Sequence, residues 1–190
     1  MKRLSLEGQL VGAELALTQD RTPEARDKSA KLLALAAPKF PEISMNGTWV
    51  LGMALAYGGT ATGKQKCAEA VELAKQLNDR WQSAKAQLAL AETLLLSGDA
   101  QSAASTALQA RQVFAQLGHQ ASEWRALALA ALASEKLGDK SKAREYAGQA
   151  NESLSKLEQI WGKDNRDTFL SRPDVQRLWK QLEQLTSAGK

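Results

Sequence analysis

The chain is poor in the residues that build metal centres and disulfides. Its 190 residues include one cysteine, Cys67, and one histidine, His119. A single cysteine excludes an intrachain disulfide, so nothing points to an oxidising compartment. A structural zinc site needs about four clustered ligands, which one histidine and one cysteine cannot supply. We therefore expect neither a metal nor a cofactor.

Residues that favour β-strands are also scarce. Aromatic residues make up 5% of the chain, long β-branched runs are absent, and alanine and leucine recur at helical spacing. The apolar stretch 126–133 is far shorter than the ~20 residues that span a bilayer. Lys2 and Arg3 are followed by Glu7 and Glu14, which does not fit a signal peptide. We expect an all-α, cytoplasmic protein with no membrane association.

The positive charge of the chain is small and evenly spread. The formal net charge is +4, with excesses of +1, +1 and +2 in residues 1–60, 61–117 and 118–190. Proteins that bind duplex nucleic acid usually gather lysine and arginine on one face. The densest basic patch is interleaved with acidic residues and consists of Lys136, Lys140, Lys142 and Arg144. Nucleic acid is therefore not an expected partner.

A repeat with a period of forty residues is the most informative feature of the chain. The turn 96–99 (Leu-Ser-Gly-Asp) is matched by the turn 136–139 (Lys-Leu-Gly-Asp), and small residues stay in step after both turns. Earlier copies are placed at Tyr57-Gly58-Gly59, followed by Cys67 and Ala70, and at Ala30 and Ala37. Such a period is typical of arrays in which each unit buries its apolar face against its neighbours. The matched small and apolar pairs are Ala103 and Ala143, Ala107 and Ala147, Ala110 and Ala150, and Leu117 and Leu157.

Each repeat unit is predicted to consist of two helices. In the third unit Asp79 or Asn78 can cap a first helix, Gly98 can end it in a left-handed conformation, and Asp99 can cap the second helix. In the fourth unit the second cap is Asp139 or Ser141. The predicted units span residues 3–37, 43–77, 79–117 and 120–161, which form a repeat array over residues 1–161.

The repeat stops after Trp161. Residues 162–167 are read as a polar break, after which Ser171 can cap a new helix that has Pro173 in its first turn. One face of this helix carries Val175, Leu178, Trp179, Leu182 and Leu185. An array needs a terminal element with one polar side. Residues 162–190 are therefore predicted to form a linker and a C-terminal capping helix.

The spacing of small residues resembles that of tetratricopeptide (TPR) repeats over about residues 10 to 160. The matching sets are Gly98, Ala103 and Ala110 in one unit and Gly138, Ala143 and Ala150 in the next, with Gly58, Gly63 and Ala70 in an earlier one. The period departs from the usual ~34 residues, and Cys67, Ala107 and Ala147 replace a common aromatic. The last two units also resemble repeats in the C-terminal parts of bacterial signalling proteins.

The resemblance implies a right-handed superhelical array of about four antiparallel hairpins, whose concave groove is lined by the first helix of each unit and binds a peptide or a partner protein. Lys85 and Arg125 would then be placed to hold ligand carboxylates. Trp179, on the terminal helix, is the tryptophan expected to face a partner. The groove residues that the resemblance implies are Lys85, Leu88, Glu92, Arg125, Ala128, Leu132 and Glu135.

Two alternatives to a peptide-binding scaffold stay open. The apolar stripe of residues 175–185 could instead mediate self-association as a homodimer, with Trp179 in the interface. The chain could also be an excised regulatory domain of a larger signalling protein. Both are non-catalytic functions, and we do not expect an enzyme.

The motifs that suggest chemistry each have a simpler interpretation. The stretch 58–65 fits the phosphate-binding pattern of Gly, four residues, Gly and Lys, but it ends in Gln65 and is not preceded by a predicted strand. It is interpreted as a turn between helices. Cys67 falls at a small-residue position and is predicted to be a buried structural thiol. His119 is predicted to be an exposed turn residue.

Overall fold

The structure is a computed structural model that describes residues 2–36 and 39–187, with side chains up to Leu185. Ala37, one of the predicted small positions, lies outside the described residues. Within the described ranges the chain forms ten helices and no strand. They are α1 (Lys2–Thr18), α2 (Thr22–Ala36), α3 (Pro41–Tyr57), α4 (Thr62–Gln76), α5 (Arg80–Leu96), α6 (Ala100–Leu117), α7 (Gln120–Lys136), α8 (Lys140–Trp161), α9 (Lys163–Ser171) and α10 (Pro173–Ser187).

The first eight helices pack as four successive hairpins. Each helix contacts the next along the chain, and each hairpin packs against the following one. The first helices of the hairpins, α1, α3, α5 and α7, also contact one another in order, and α10 then packs against α7 and α8. The predicted all-α array of helical hairpins is thus confirmed. No described helix is long and apolar enough to cross a bilayer.

The turns that carry the repeat have the geometry that their sequences predict. Gly98 and Gly138 are left-handed, with φ of 86° and 79°. The carboxylates of Asp99 and Asp139 accept the backbone N–H groups of Ser102 and Lys142 at 3.2 and 3.1 Å. These bonds satisfy donors that a helix start otherwise leaves unpaired.

Asp79 and Asn78, the two residues predicted as possible caps of the first helix in the third unit, occupy different positions in the turn before α5. Asp79 caps α5 by accepting the backbone N–H of Gln82 at 3.1 Å. Asn78 takes the left-handed position before it, with φ of 52°. Asparagine tolerates this conformation better than most residues. Asn78 therefore reverses the chain and Asp79 caps the helix that follows.

Two glycine substitutions should have opposite effects on stability. Gly98→Ala places a side chain at φ 86° and should lower the free energy of unfolding by about 1 kcal/mol. Gly148→Ala lies inside α8, where an added Cβ meets nothing within 4 Å, and should raise it by about 0.5–1 kcal/mol. Urea unfolding followed by circular dichroism measures both. Shifts of the same sign would contradict the assigned conformations.

Small residues allow the helices of each hairpin to approach closely. Ala103, Ala107 and Ala110 of α6 are fully buried, and the matching alanines of α8 are at most 1% exposed. Phe114 of α6 is fully buried in a cluster with Ala126 of the next hairpin, and Trp124 of α7 is fully buried against Phe169 of α9. The core is therefore distributed along the array, as expected for stacked repeats.

The segment after Trp161 differs from the prediction. Residues 162–167 are not a polar break: Gly162, with φ of 78°, ends α8 and α9 begins at once. The sequence looks like a linker because α9 buries no residue fully. Phe169 anchors it, with its ring centroid 5.8 Å from those of both Trp124 and Trp161.

The start of α10 also differs from the prediction. Ser171 is the last residue of α9, and its hydroxyl donates to the Thr168 carbonyl at 2.8 Å instead of capping α10. Pro173 is the first residue of α10, where its missing N–H leaves no hydrogen bond unmade. The apolar stripe of α10 is buried on the array, with Val175, Leu178 and Leu182 at most 4% exposed.

Candidate functional site

Two cavities lie side by side where α3, α5, α7 and α10 face one another, a region that we call the inner surface. The first cavity has a volume of about 190 Å³ and the second about 520 Å³. The apolar wall of the first cavity includes Leu17, Trp49, Met53, Tyr57, Trp81 and Leu88, and charged residues form much of the rest of its lining. The most frequent lining residue of the second cavity is leucine, at positions Leu95, Leu96, Leu129, Leu132, Leu178 and Leu185.

A network of ion pairs and hydrogen bonds, here called the polar bridge, separates the two cavities. Arg125 donates from Nε and Nη2 to Glu92 Oε2, at 3.2 and 2.9 Å, and from Nη1 to Asp174 Oδ2, at 2.8 Å. Glu92 also accepts the hydroxyl of Tyr57, and Arg172 pairs with Asp174 at 2.9 Å. The bridge thus connects α3, α5, α7 and α10.

Burial and charge in the polar bridge shift the pKa values of Tyr57 and Arg125. Burial raises the pKa of Tyr57, and the neighbouring Glu92 carboxylate raises it further. Burial alone would lower the pKa of Arg125, but the Glu92 and Asp174 carboxylates outweigh this effect and hold the pKa above the usual value for arginine. Arg125 therefore stays charged, and all three of its nitrogens already have carboxylate partners.

Arg177 of α10 closes the inner surface against the N-terminal hairpin. Its guanidinium lies 4.1 Å from the centroid of the Tyr57 ring, which is a cation–π geometry, and it pairs with Asp20 in the turn between α1 and α2. The pair of Arg177 with Asp20 joins residues 157 positions apart in the sequence. The inner surface is consequently bounded by α10 on one side and by the end of α1 on the other.

The wall of the first cavity next to α1 is organised around Lys85. Its Nζ lies 5.2 Å from the centroid of the Trp49 ring, 3.2 Å from Asn46 Oδ1 and 3.5 Å from Glu14 Oε1. Trp49 Nε1 donates to the same Asn46 oxygen at 3.0 Å. Lys85 is therefore held against the Trp49 ring and does not extend freely into the cavity.

The groove residues implied by the resemblance occupy several environments. Lys85, Leu88, Glu92 and Arg125 line the first cavity, and Leu132 and Glu135 line the second together with Glu92. The seventh groove residue, Ala128, and the tryptophan expected to face a partner, Trp179, lie elsewhere. Ala128 is fully buried in the core, and Trp179 lies behind α10 in a separate cavity of about 320 Å³, with Leu154 and Arg166.

The predicted groove residues came only from α5 and α7, whereas the structure places α3 residues in the cavities at a spacing of thirty-nine, not forty, from those of α5. α3 ends at Tyr57, thirty-nine positions before the end of α5 at Leu96, whereas α5 and α7 end forty positions apart. The left-handed turn glycine is correspondingly Gly59, not Gly58. One residue rotates a helix by about 100°. A register of thirty-nine aligns Trp49 with Leu88.

The stretch 58–65, His119 and Cys67, which the sequence offered as possible sites of chemistry, lie in turns, at the starts of helices or in the core of the fold. Residues 58–61 connect α3 to α4 without a strand, and His119 is exposed, with its ring centroid 4.0 Å from that of Trp81. Among the described residues, no group of three or more His, Cys, Asp or Glu side chains could hold a metal ion. Cys67 is fully buried and its Sγ lies 3.8 Å from the Trp49 carbonyl oxygen.

Burial of Cys67 should make stability depend on pH in the alkaline range. Burial raises the pKa of the thiol to about 12, against about 8.5 in an unfolded chain. The unfolded chain therefore releases this proton first, and stability falls as pH rises from about 8.5 towards 12. Between pH 9 and 10.5, the wild type should lose about 1.4 kcal/mol per pH unit more than Cys67→Ala. Urea unfolding between pH 9 and 10.5 measures the free energy of unfolding of both proteins. Equal slopes of this free energy against pH in the wild type and in Cys67→Ala would contradict the burial of the thiol.

Comparisons with known proteins identify the fold. No protein-family model matches the chain. The search of curated proteins found no significant match. Two crystal structures of a Podosopora anserina "putative kinesin light chain" with nearly identical TPR-like repeats, one a single-substitution variant, are similar in fold.

Both structures superpose with a TM-score of 0.66 at 16% sequence identity. For the variant, the match covers 97% of this chain and 96% of that one; for the other, 98% and 97%. Identity this low carries no information about ligands. The similarity is nevertheless continuous over nearly the whole length, and the chain has a TPR-like repeat fold.

Proposed function

We propose that the chain is a non-catalytic scaffold that binds a peptide, or a segment of a partner protein, on its inner surface. The observation that carries the proposal is the pair of adjacent cavities between α3, α5, α7 and α10, which are walled by aromatic and leucine side chains. Pockets of this kind accept the apolar side chains that anchor a bound segment. TPR-like repeats are typically interaction folds without catalytic activity, which agrees with this role.

In this proposal some of the groove residues contact the ligand, and others hold the walls of the cavities in place. Leu88 and the hydrocarbon chain of Lys85 contact the ligand in the first cavity, and Leu132 contacts it in the second. Glu92 and Arg125 form the boundary between the cavities and keep their walls in place. Arg125 and Lys85 have carboxylate partners within the chain, so the proposal does not assign ligand carboxylates to them.

Self-association through α10 is not the function that we favour. The stripe that would form the dimer interface is buried on α7 and α8 of the same chain. Dimerisation through it would require α10 to detach and to leave Asp174 without Arg125. A cytoplasmic location and a role as a regulatory domain of a larger signalling protein stay predictions.

The proposal is tested by selecting phage-displayed peptides on the immobilised wild-type chain. The affinity of the selected peptides is then measured for the wild type, for Ser122→Phe and for Ser141→Phe. Ser122→Phe places a ring in the first cavity from a partly exposed position of α7. Ser141→Phe is the matched control, because it adds the same ring at an exposed position of α8. We expect selected peptides whose Kd rises about tenfold or more in Ser122→Phe, which corresponds to about 1.4 kcal/mol, and stays unchanged in Ser141→Phe. Failure to enrich any peptide, or equal binding to all three proteins, would contradict the proposal.

A further inference from the structure

The charged side chains around the first cavity all have partners of opposite charge inside the chain. Three acids and three bases line it. Glu14 pairs with Lys85, Glu92 with Arg125, and Asp174 with both Arg125 and Arg172. The formal charges of the lining sum to zero, so the cavity has no uncompensated charge to offer a ligand.

The aromatic rings at the cavity already have cations or rings against them. Lys85 lies over Trp49 and Arg177 over Tyr57, at 5.2 and 4.1 Å from the ring centroids. Trp81 contacts the rings of Phe114 and His119, at 5.4 and 4.0 Å between centroids. The faces of Trp49 and Tyr57 that meet Lys85 and Arg177 are therefore already occupied by cations of the protein itself.

The size of the cavity sets the size of what it can hold. A protein cavity of about 150 Å³ with apolar walls binds benzene, and the first cavity measures about 190 Å³. Its apolar wall is formed by Leu17, Met53 and Leu88 together with the tryptophan rings. One group of the size of a benzene ring or a leucine side chain fits it.

We infer that the first cavity is an anchor site for a single uncharged apolar group, and that it discriminates against a carboxylate or an ammonium group of the same size. The inference rests on the proposed function, since it names the chemistry of the ligand segment that the inner surface binds. A charged group would enter a lining whose charges are already paired, and would lose its water without gaining a partner. An uncharged ring loses little on leaving water and gains contacts with the rings and leucines.

The test uses three probes that share one ring and differ in charge: benzyl alcohol, benzoate and benzylammonium. Each is titrated into ¹⁵N-labelled protein at pH 7, while the indole N–H signals of Trp49 and Trp81 are followed by NMR. We expect benzyl alcohol to shift both signals saturably and each ion to bind roughly tenfold more weakly or worse. The shifts should vanish in Ser122→Phe and persist in Ser141→Phe.

Each other outcome overturns the inference. Tighter binding of benzoate would show an available cation, tighter binding of benzylammonium would show an available carboxylate or ring face, and absence of saturable shifts would show that the cavity holds no ring. These results are separable from failure of the proposed function. If selected peptides bind and are lost in Ser122→Phe while the probe series fails, the scaffold function stands and only the neutral anchor is wrong.

Discussion

Replacing Arg125 with methionine should lower the free energy of unfolding by about 3–5 kcal/mol. The substitution keeps most of the side-chain volume but removes the guanidinium that pairs with Glu92 and that shares Asp174 with Arg172. Both carboxylates are 5% exposed, and Glu92 is left without its paired cation. An unpaired buried carboxylate costs far more than a neutral residue. Because the same two pairs connect α5, α7 and α10, α10 should also lose its hold on the array. Urea unfolding at pH 7 measures the stability.

Two comparisons separate loss of the charge network from loss of an arginine. Arg144→Met, at an exposed position of α8, should change stability by less than about 0.5 kcal/mol. Adding Glu92→Gln and Asp174→Asn to Arg125→Met should recover part of the loss, since no buried charge is then unpaired. A loss below about 1 kcal/mol in the single variant would mean that the bridge is more hydrated than the structure describes.

Gly63→Ala should destabilise the protein by about 3 kcal/mol or more. An added Cβ would lie 2.5 Å from the Ala56 nitrogen, 2.6 Å from the Gly52 oxygen and 2.8 Å from the Ala56 Cα. All three atoms belong to the backbone of α3, so no side chain can rotate away and the two helices must separate. Thermal unfolding by circular dichroism should show a matching fall in Tm.

Gly8→Ala is the matched control for this substitution. Gly8 is also a helical glycine, but an added Cβ there meets nothing within 4 Å, so the change should be neutral or raise stability by up to about 1 kcal/mol. Similar effects at the two positions would contradict the close contact of α3 with α4. The contact also gives a structural reason for Gly63, the last glycine of the stretch 58–65 that fits the phosphate-binding pattern. The absence of a side chain there allows α3 and α4 to touch.

Features that depend on neighbours in the sequence were the predictable part of this fold. The Gly98 and Gly138 turns and the cap at Asp99 each act within a few residues and were predicted correctly, and Asp139 is one of the two caps predicted for the fourth unit. The buried state of Cys67 followed from its place in the repeat. α9 was missed because its composition is that of an exposed polar segment, and only the contacts of Phe169 with two distant tryptophans make it part of the fold.

The candidate site depended on contacts that a periodic pattern does not encode. The resemblance implied residues of α5 and α7 of which most line the two cavities, but not that Arg125 is paired with Glu92 and Asp174. Asp174 and Arg177 belong to a helix outside the repeat, so no register relates them to the inner surface. No groove residue was predicted on α3, whose cavity residues align with those of α5 at a spacing of thirty-nine residues, not the forty on which the repeat was defined.

The central claim, that the inner surface is where a ligand segment binds, is tested most directly by mapping a selected peptide onto the ¹⁵N-labelled chain by NMR. We predict that the largest chemical-shift changes fall on α3, α5, α7 and α10, and include the indole signals of Trp49 and Trp81. Changes concentrated on α4, α6 and α8, with the Trp49 and Trp81 signals unmoved, would contradict it.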